Sequence, residues 1–384
     1  MQNRSANRHA FSRQACLAII LALVGAAPAC GDLDEKDTTP PSVEALTRWD
    51  SSHVLALRTY YENAAIVDLH SGRKTGELKL GRYYRDIKSL GNGTFVAVHN
   101  QWIDFIHSDG RVDTGRSIPG GIFGGVAVSA DLSTLAYSDY GDSQDATVHV
   151  VSLQDGIERL SPPGAYNGAN NDFDDGLVLS GNGNLVAFIN ADVGFAKTYA
   201  SNPPPDPNTP EVPAVARCVL KQLNPNYGGG AMTIDFSPVQ DQLAVASLVG
   251  FVEIFDLSDQ QDCQLLLAIP DVDSSGMTGR IGHLRYSPDG SVLAATVERS
   301  EYDGTSGITS FTIVIRLFDA TTGALRTELP AYQWQSTDPL GSEGPMVTDL
   351  LWSDAGDRLT VSAWNGPVQC WDIASATLLW EARL

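Results

Sequence analysis

One short turn recurs along this chain of 384 residues, and its recurrence restricts the possible folds more than any other feature. Residues Tyr286 to Glu298 read YSPDGSVLAATVE: an apolar residue, the turn Ser287-Pro288-Asp289-Gly290, then small and β-branched residues. Pro presets φ at the second position of a type I turn and Gly accepts the tight exit at the fourth, so the stretch joins two antiparallel strands. The same order returns as FSPVQDQLA from Phe236, VSADLSTLA from Val128, LSGNGNLVA from Leu179 and WSDAGDRLT from Trp352. Weaker copies are SLGNGTFVA from Ser89 and RWDSSHVLA from Arg48.

Each copy is followed by a second apolar strand that ends in an acidic or polar residue and a small turn, as in FVEIFDLSD from Phe251 and VQCWDIASA from Val368. One more apolar strand closes the unit, so each unit holds four short strands. Taking Trp49, Leu90, Ser129, Ser180, Ser237, Ser287 and Ser353 as equivalent points, subtraction gives spacings of 41, 39, 51, 57, 50 and 66. Four-stranded units with a minimum near 40 residues have the period of propeller blades. The physical reason is burial: a lone four-stranded sheet leaves two apolar faces bare, whereas a ring of sheets covers every face with a neighbour. Strands such as LAVASL and VLAATV are apolar on successive residues, as sheets covered on both faces require. The expected fold is an all-β, seven-bladed propeller over residues 43–384, closed by packing between its first and last blades.

The chain resembles the WD-repeat propellers and their looser bacterial relatives. The likeness is carried by the Ser287-Pro288-Asp289-Gly290 turn, the Trp371-Asp372 dipeptide and its degraded forms Phe255-Asp256 and Phe318-Asp319, and it covers roughly residues 43–384. Gly282-His283 lies only four residues before Ser287, closer than the family's Gly-His signature sits, so the family's His-Ser-Asp network is not carried over. The resemblance implies a ring that binds other molecules.

The N-terminus has the three parts of an export signal: basic residues to Arg13, the apolar run ACLAIILALVGAA, and small residues before Cys30. The sequence APAC resembles a bacterial lipoprotein box, which implies lipidation of Cys30 after loss of residues 1–29, although Ala-Pro-Ala equally suits the ordinary signal peptidase. Residues 30–42 then read as an acidic, Pro-bearing tether, and Gly31 implies sorting to the outer membrane, facing periplasm or cell surface. Composition adds a charge argument: 25 basic residues stand against 46 acidic ones, and loss of Arg4, Arg8 and Arg13 with the signal leaves 22 minus 46, or −24. Such a surface repels nucleic acid and anionic head groups. A membrane contact through the lipid alone and a monomeric ring are expected. Outer strands of neighbouring blades are expected to splay apart, so Cys218, Cys263 and Cys370 read as small buried apolar side chains rather than as a disulfide pair.

Chemistry-bearing motifs are scarce. The chain has no Gly-Lys-Ser/Thr phosphate loop and no Gly-x-Ser-x-Gly elbow, and its histidines lack metal-ligand spacing. Asp271, Asp273 and Ser275 alternate before Gly276 as calcium ligands would, but Gly279 and Gly282 stand where further oxygens are needed. No cofactor or metal is expected, and the chain reads as a non-enzyme; a lactonase- or quinoprotein-like propeller enzyme with an axial site is the alternative. Long insertions at 190–215, 298–310, 161–176 and 330–346 are expected to build up one face. Aromatic and acidic residues there, Tyr166, Asp172, Asp174, Tyr302, Tyr332 and Trp334, form the candidate surface for a protein or envelope polymer.

Overall fold

The computed structural model describes residues 42–384 apart from 59–60, 100–101, 118–121, 141–145, 155, 157, 161–175, 191–194, 201–213, 220–230, 248–249, 259–262, 270–279 and 338–343. Its strands form seven four-stranded antiparallel sheets, each a consecutive meander along the chain. The arrangement is a β-propeller. The innermost strands are Val43–Arg48, Asp86–Ser89, Ile122–Val128, Leu177–Leu179, Ala231–Phe236, Arg280–Tyr286 and Met346–Trp352, and each runs into one copy of the recurrent turn.

Burial falls from the inside outward. The second strands of the first and fifth sheets, His53–Arg58 and Gln242–Ser247, are buried at every position after the first. The fourth strands Lys74–Lys79 and Thr377–Ala382 are mostly exposed, with one fully buried residue each. Successive apolar residues in the second strands therefore reflect cover on both faces. The core is not one cluster but seven, each straddling two consecutive sheets, and the set includes one joining the seventh sheet to the first.

Hydrogen bonding explains the turn chemistry. Ser287 is buried; its Oγ accepts the Val292 N–H at 2.9 Å and donates to Asp289 at 2.6 Å, while Asp289 accepts the Ser291 N–H at 3.0 Å. Ser180 with Asn182 and Ser129 with Asp131 repeat the same lock. Gly290 has φ of +70° and an added Cβ would lie 2.6 Å from Val239 of the preceding sheet, so backbone shape and close packing both demand glycine there. The aromatic-Asp dipeptides have a divided role: Phe255, Phe318 and Trp371 are buried between sheets, while Asp256, Asp319 and Asp372 accept N–H groups of the turn that follows.

The first and last sheets meet without sharing a strand, since Thr377–Ala382 pairs only with Val368–Asp372 and Val43–Arg48 only with His53–Arg58. Their seam is held by packing of Trp380 with Leu46 and Val67 and by polar contacts. Trp380 Nε1 and Arg358 Nη1 both donate to the Leu69 carbonyl, at 2.8 and 3.1 Å, and Thr348 Oγ1 donates to the Val43 carbonyl at 2.7 Å.

Three expectations are corrected. Cys218 and Cys263 form a disulfide with a Cα separation of 5.1 Å, and among the described residues Cys370 is a buried free thiol. Cys218 lies near the end of Ala214–Val219, and Cys263 just before Gln264–Ile269. Strand twist swings each outer strand so that the end of one approaches the start of the next. The 298–310 insertion is a continuation of regular sheet, with Val292–Asp303, Ile308–Asp319 and Leu325–Ser336 each 12 residues long. Finally, the third strand of the fourth sheet is Phe195–Ala200, so the long segment 201–213 joins third and fourth strands and leaves from the same side as the recurrent turns. The described strand ends at which the insertions start therefore do not all lie on one side of the sheets.

Candidate functional site

Two places in the propeller gather side chains with recognition chemistry, the extended sixth sheet and the axis. The sixth sheet reaches past its neighbours as a three-stranded extension whose tip, 304–307, is closed by Asp303: its carboxylate accepts the Thr305 N–H at 2.8 Å and its carbonyl accepts the Gly307 N–H at 2.9 Å. Tyr302 stands on this tip with 64% of its surface exposed. Trp334 is half-buried, stacked on Phe311 at 4.9 Å and pressed against Gly344, where a Cβ would lie inside the ring's contact distance. Tyr332 is buried, and its hydroxyl donates to the Pro367 carbonyl of the seventh sheet at 2.7 Å.

These placements sort the sequence-derived surface residues. Tyr302 is available to a partner, Trp334 offers part of a ring, and Tyr332 is a brace between sheets because its apolar body fills their shared core. Tyr166, Asp172 and Asp174 lie outside the described residues, as do Cys30, Asp271, Asp273 and Ser275. Among the described residues no group of three or more His, Cys, Asp or Glu side chains is gathered as a metal would require.

The axis holds what motif reading missed. Counting back from the seven equivalent turn points, the residues two places earlier are Thr47, Lys88, Ala127, Val178, Asp235, Arg285 and Leu351, one from each inner strand. All seven line one cavity of about 310 Å³. Two-residue periodicity puts the residues four places earlier on the same side of the strand, one layer deeper. That layer contains Ala45, Asp86, Thr233, His283 and Asp349, all buried.

Several of these side chains latch one sheet to the next. Asp86 accepts the Val126 N–H at 2.9 Å, and Asp349 accepts the Leu46 N–H at 3.1 Å. In the outer layer Thr47 accepts the Ser89 N–H at 2.7 Å and Asp235 accepts the Tyr286 N–H at 2.6 Å. Every latch runs from one sheet to the following one, and the last returns to the first. Inner strands of neighbouring sheets have no ladder between them, so a carboxylate or hydroxyl supplies the missing acceptor.

Two cations balance the deep acids. Lys88 Nζ lies 3.0 Å from Asp86 and 3.8 Å from Asp349, and Arg285 Nη2 lies 3.3 Å from Asp349. Burial opposes the Lys88 charge, but the attraction of Asp86 and Asp349 outweighs it and holds the ammonium above the ordinary lysine range. Aligning the repeats on their turns would have exposed this cluster, because Lys88, Asp235 and Arg285 then fall at the position that Ala127, Val178 and Leu351 occupy in other repeats. With fold and site in view the class is clear: an all-β propeller of four-stranded antiparallel blades with a charged axis. No protein-family profile matches the chain, and no curated protein matches it in sequence.

Proposed function

We propose that the protein is a non-catalytic binding ring of the bacterial envelope, a WD-repeat-like propeller of seven blades. On this reading it is tethered by lipid on Cys30 and binds a protein or envelope polymer through the face that carries the sixth-sheet extension. The observation that carries the proposal is that extension. Three 12-residue strands, braced on the seventh sheet through Tyr332 and through the Gln369 side chain donating to the Ala331 carbonyl, present exposed Tyr302 on a rigid platform. A pre-ordered aromatic on a regular sheet loses little entropy on binding, which suits an interaction surface.

Two further features support the address. The Cys218–Cys263 disulfide suits an oxidising compartment. The chain enters the ring at Ser42, whose Oγ accepts the Asn365 N–H at 2.9 Å at the turn between the second and third strands of the seventh sheet. This is the side toward which the sixth-sheet hairpin points. Residues 30–42 span at most roughly 40 Å when extended.

Intact mass of the mature protein tests the anchor: a diacylated or triacylated Cys30, absent in Cys30→Ala, is expected, and an unmodified mass starting at Cys30 removes the tether. A photo-crosslinking residue at position 302, in cells of the native host, tests the surface. It should give one dominant adduct that the same residue at exposed Val239, on the turn side, does not give. Equal labelling from both positions sinks the proposed face.

A further inference from the structure

The sixth sheet leaves one of its strands half paired. Val292–Asp303 pairs along its whole length with Ile308–Asp319, but its pairing with Arg280–Tyr286 runs only from Leu293 to Glu298. From Arg299 to Asp303 the second edge has no strand against it among the described residues, and Ser300 to Asp303 are all exposed. The Asp303 carbonyl is turned into its own hairpin, where it accepts the Gly307 N–H at 2.9 Å. Backbone groups alternate between the two edges of a strand, so the N–H and C=O groups of Ser300 and Tyr302 point to the open edge. An edge of this kind is a template for one more strand.

The two sides of that edge differ in chemistry. Val297 and Val314 pack in the cluster between the fifth and sixth sheets, and Ile313 and Ile315 in the one between the sixth and seventh. Carried outward, the same alternation puts Arg299, Glu301 and Asp303 on the fifth-sheet side and Ser300 and Tyr302 on the seventh-sheet side. Phe311, opposite Ser300, and Trp334, opposite Phe311, extend the aromatic side, their rings stacked at 4.9 Å. On the charged side Arg299 is matched by Glu328 at 3.8 Å. Glu301 and Asp303 are exposed and have no cation within ion-pair distance among the described residues.

We propose that this edge captures an extended segment of a partner protein in which apolar and basic residues alternate. The partner backbone pairs with Ser300 and Tyr302; residues opposite these two share their side of the sheet, so they are the apolar ones and lie beside the Tyr302 ring. The lysines or arginines between them face Glu301 and Asp303. A second copy of the chain fits poorly, because antiparallel pairing about Glu301 sets that carboxylate against its own counterpart. The charges that deter an acidic strand are the ones that admit a basic strand. The inference rests on the reading of this extension as the contact face, and adds the mode of contact and the partner's chemistry.

The test is fluorescence anisotropy of the purified mature chain with the labelled peptide Val-Lys-Val-Lys-Val-Lys-Val. It is compared with the same peptide carrying Glu for Lys, and with two N-methylated forms, one blocked at the valine amides and one at the lysine amides. The parent is expected to bind about tenfold or more tightly than the Glu peptide and the valine-blocked form, whereas the lysine-blocked form keeps its affinity because those amides face away from the edge. Ser300→Pro removes an N–H that serves only the open edge, so it should weaken the parent about tenfold while the urea midpoint stays unchanged. Equal binding of the two N-methylated forms, of the Lys and Glu peptides, or of the parent to wild type and folded Ser300→Pro overturns the proposal. So does a dimer that Ser300→Pro abolishes, which would assign the edge to a second copy. A crosslink from position 302 in cells with no discrimination among the peptides leaves the contact face standing and removes this inference. Discrimination without that crosslink supports the strand edge and removes the envelope reading.

Discussion

The seam between the seventh and first sheets and the seam between the fourth and fifth hold neighbours together by different means. At the first, no covalent bond crosses. Asp349 accepts the Leu46 N–H, Trp380 and Arg358 both reach the Leu69 carbonyl, and Trp380 closes a shared apolar cluster. At the second, the Cys218–Cys263 disulfide ties outer strand to outer strand, while Asp235 begins the next latch inward, to the sixth sheet. The difference concerns radius. Near the axis neighbouring backbones are close enough for one carboxylate to bridge them, whereas at the rim only a longer cross-link or a large aromatic spans the gap.

That contrast breaks most severely at Asp349. Asp349→Ala removes the acceptor of Leu46 N–H and one of the acids neutralising Lys88 and Arg285, leaving buried polar groups without compensation. The expected loss is about 3–5 kcal/mol, read as a fall in urea midpoint, with the seam opening first by hydrogen exchange at Leu46. An unchanged midpoint would show that the axial acids do not bear on closure. The rim should be less costly. Cys218→Ser with Cys263→Ser is expected to lose about 2–4 kcal/mol, and reductant should bring the wild type to the same midpoint. If reductant has no effect, the bond is not formed in the folded protein.

Smaller still is the turn-to-turn contact between the fifth and sixth sheets. Gly290→Ala places a Cβ at φ of +70° and against Val239, with an expected cost of about 1–2 kcal/mol. A neutral result would mean that the turn relaxes freely. The smallest effect is acid sensitivity of the turn lock. The hydrogen bond from Ser287, helped by the Ser291 N–H, holds the Asp289 carboxyl below the ordinary aspartate value of 3.8. Between the folded value and 3.8 the unfolded chain binds more protons, so this contribution is present above 3.8 and is lost as pH falls through the folded value. Ser287→Ala should flatten the stability-pH curve only below about pH 4. Flattening near neutrality instead would implicate another group.

Much of this architecture was legible from the residues. The seven turn points from Trp49 to Ser353 all fall at the ends of inner strands, because Ser, Asp and Gly encode the turn within a few residues and need nothing distant to act. The two-sided burial of strands such as Gln242–Ser247 was likewise visible in their unbroken apolar runs. The candidate surface was legible only in part. Tyr302 is exposed as expected, but Tyr332 is equally aromatic and equally close to an insertion, and only its position over Pro367 makes it core. The 298–310 insertion contains Ser, Gly and Asp like any loop, yet cross-strand pairing with residues that follow it makes it sheet.

The sequence by itself determined the repeating unit, the turn chemistry and the all-β class, since each depends on residues near one another along the chain. Tertiary structure alone decided the disulfide, the latches from Thr47, Asp86, Asp235 and Asp349, and the cavity they surround. Those features join residues from different repeats, and their energies depend on distances that no local pattern specifies. Lys88 has only Asp86, two residues away on its own strand, as a partner visible in sequence until ring closure brings Asp349 within 3.8 Å of it.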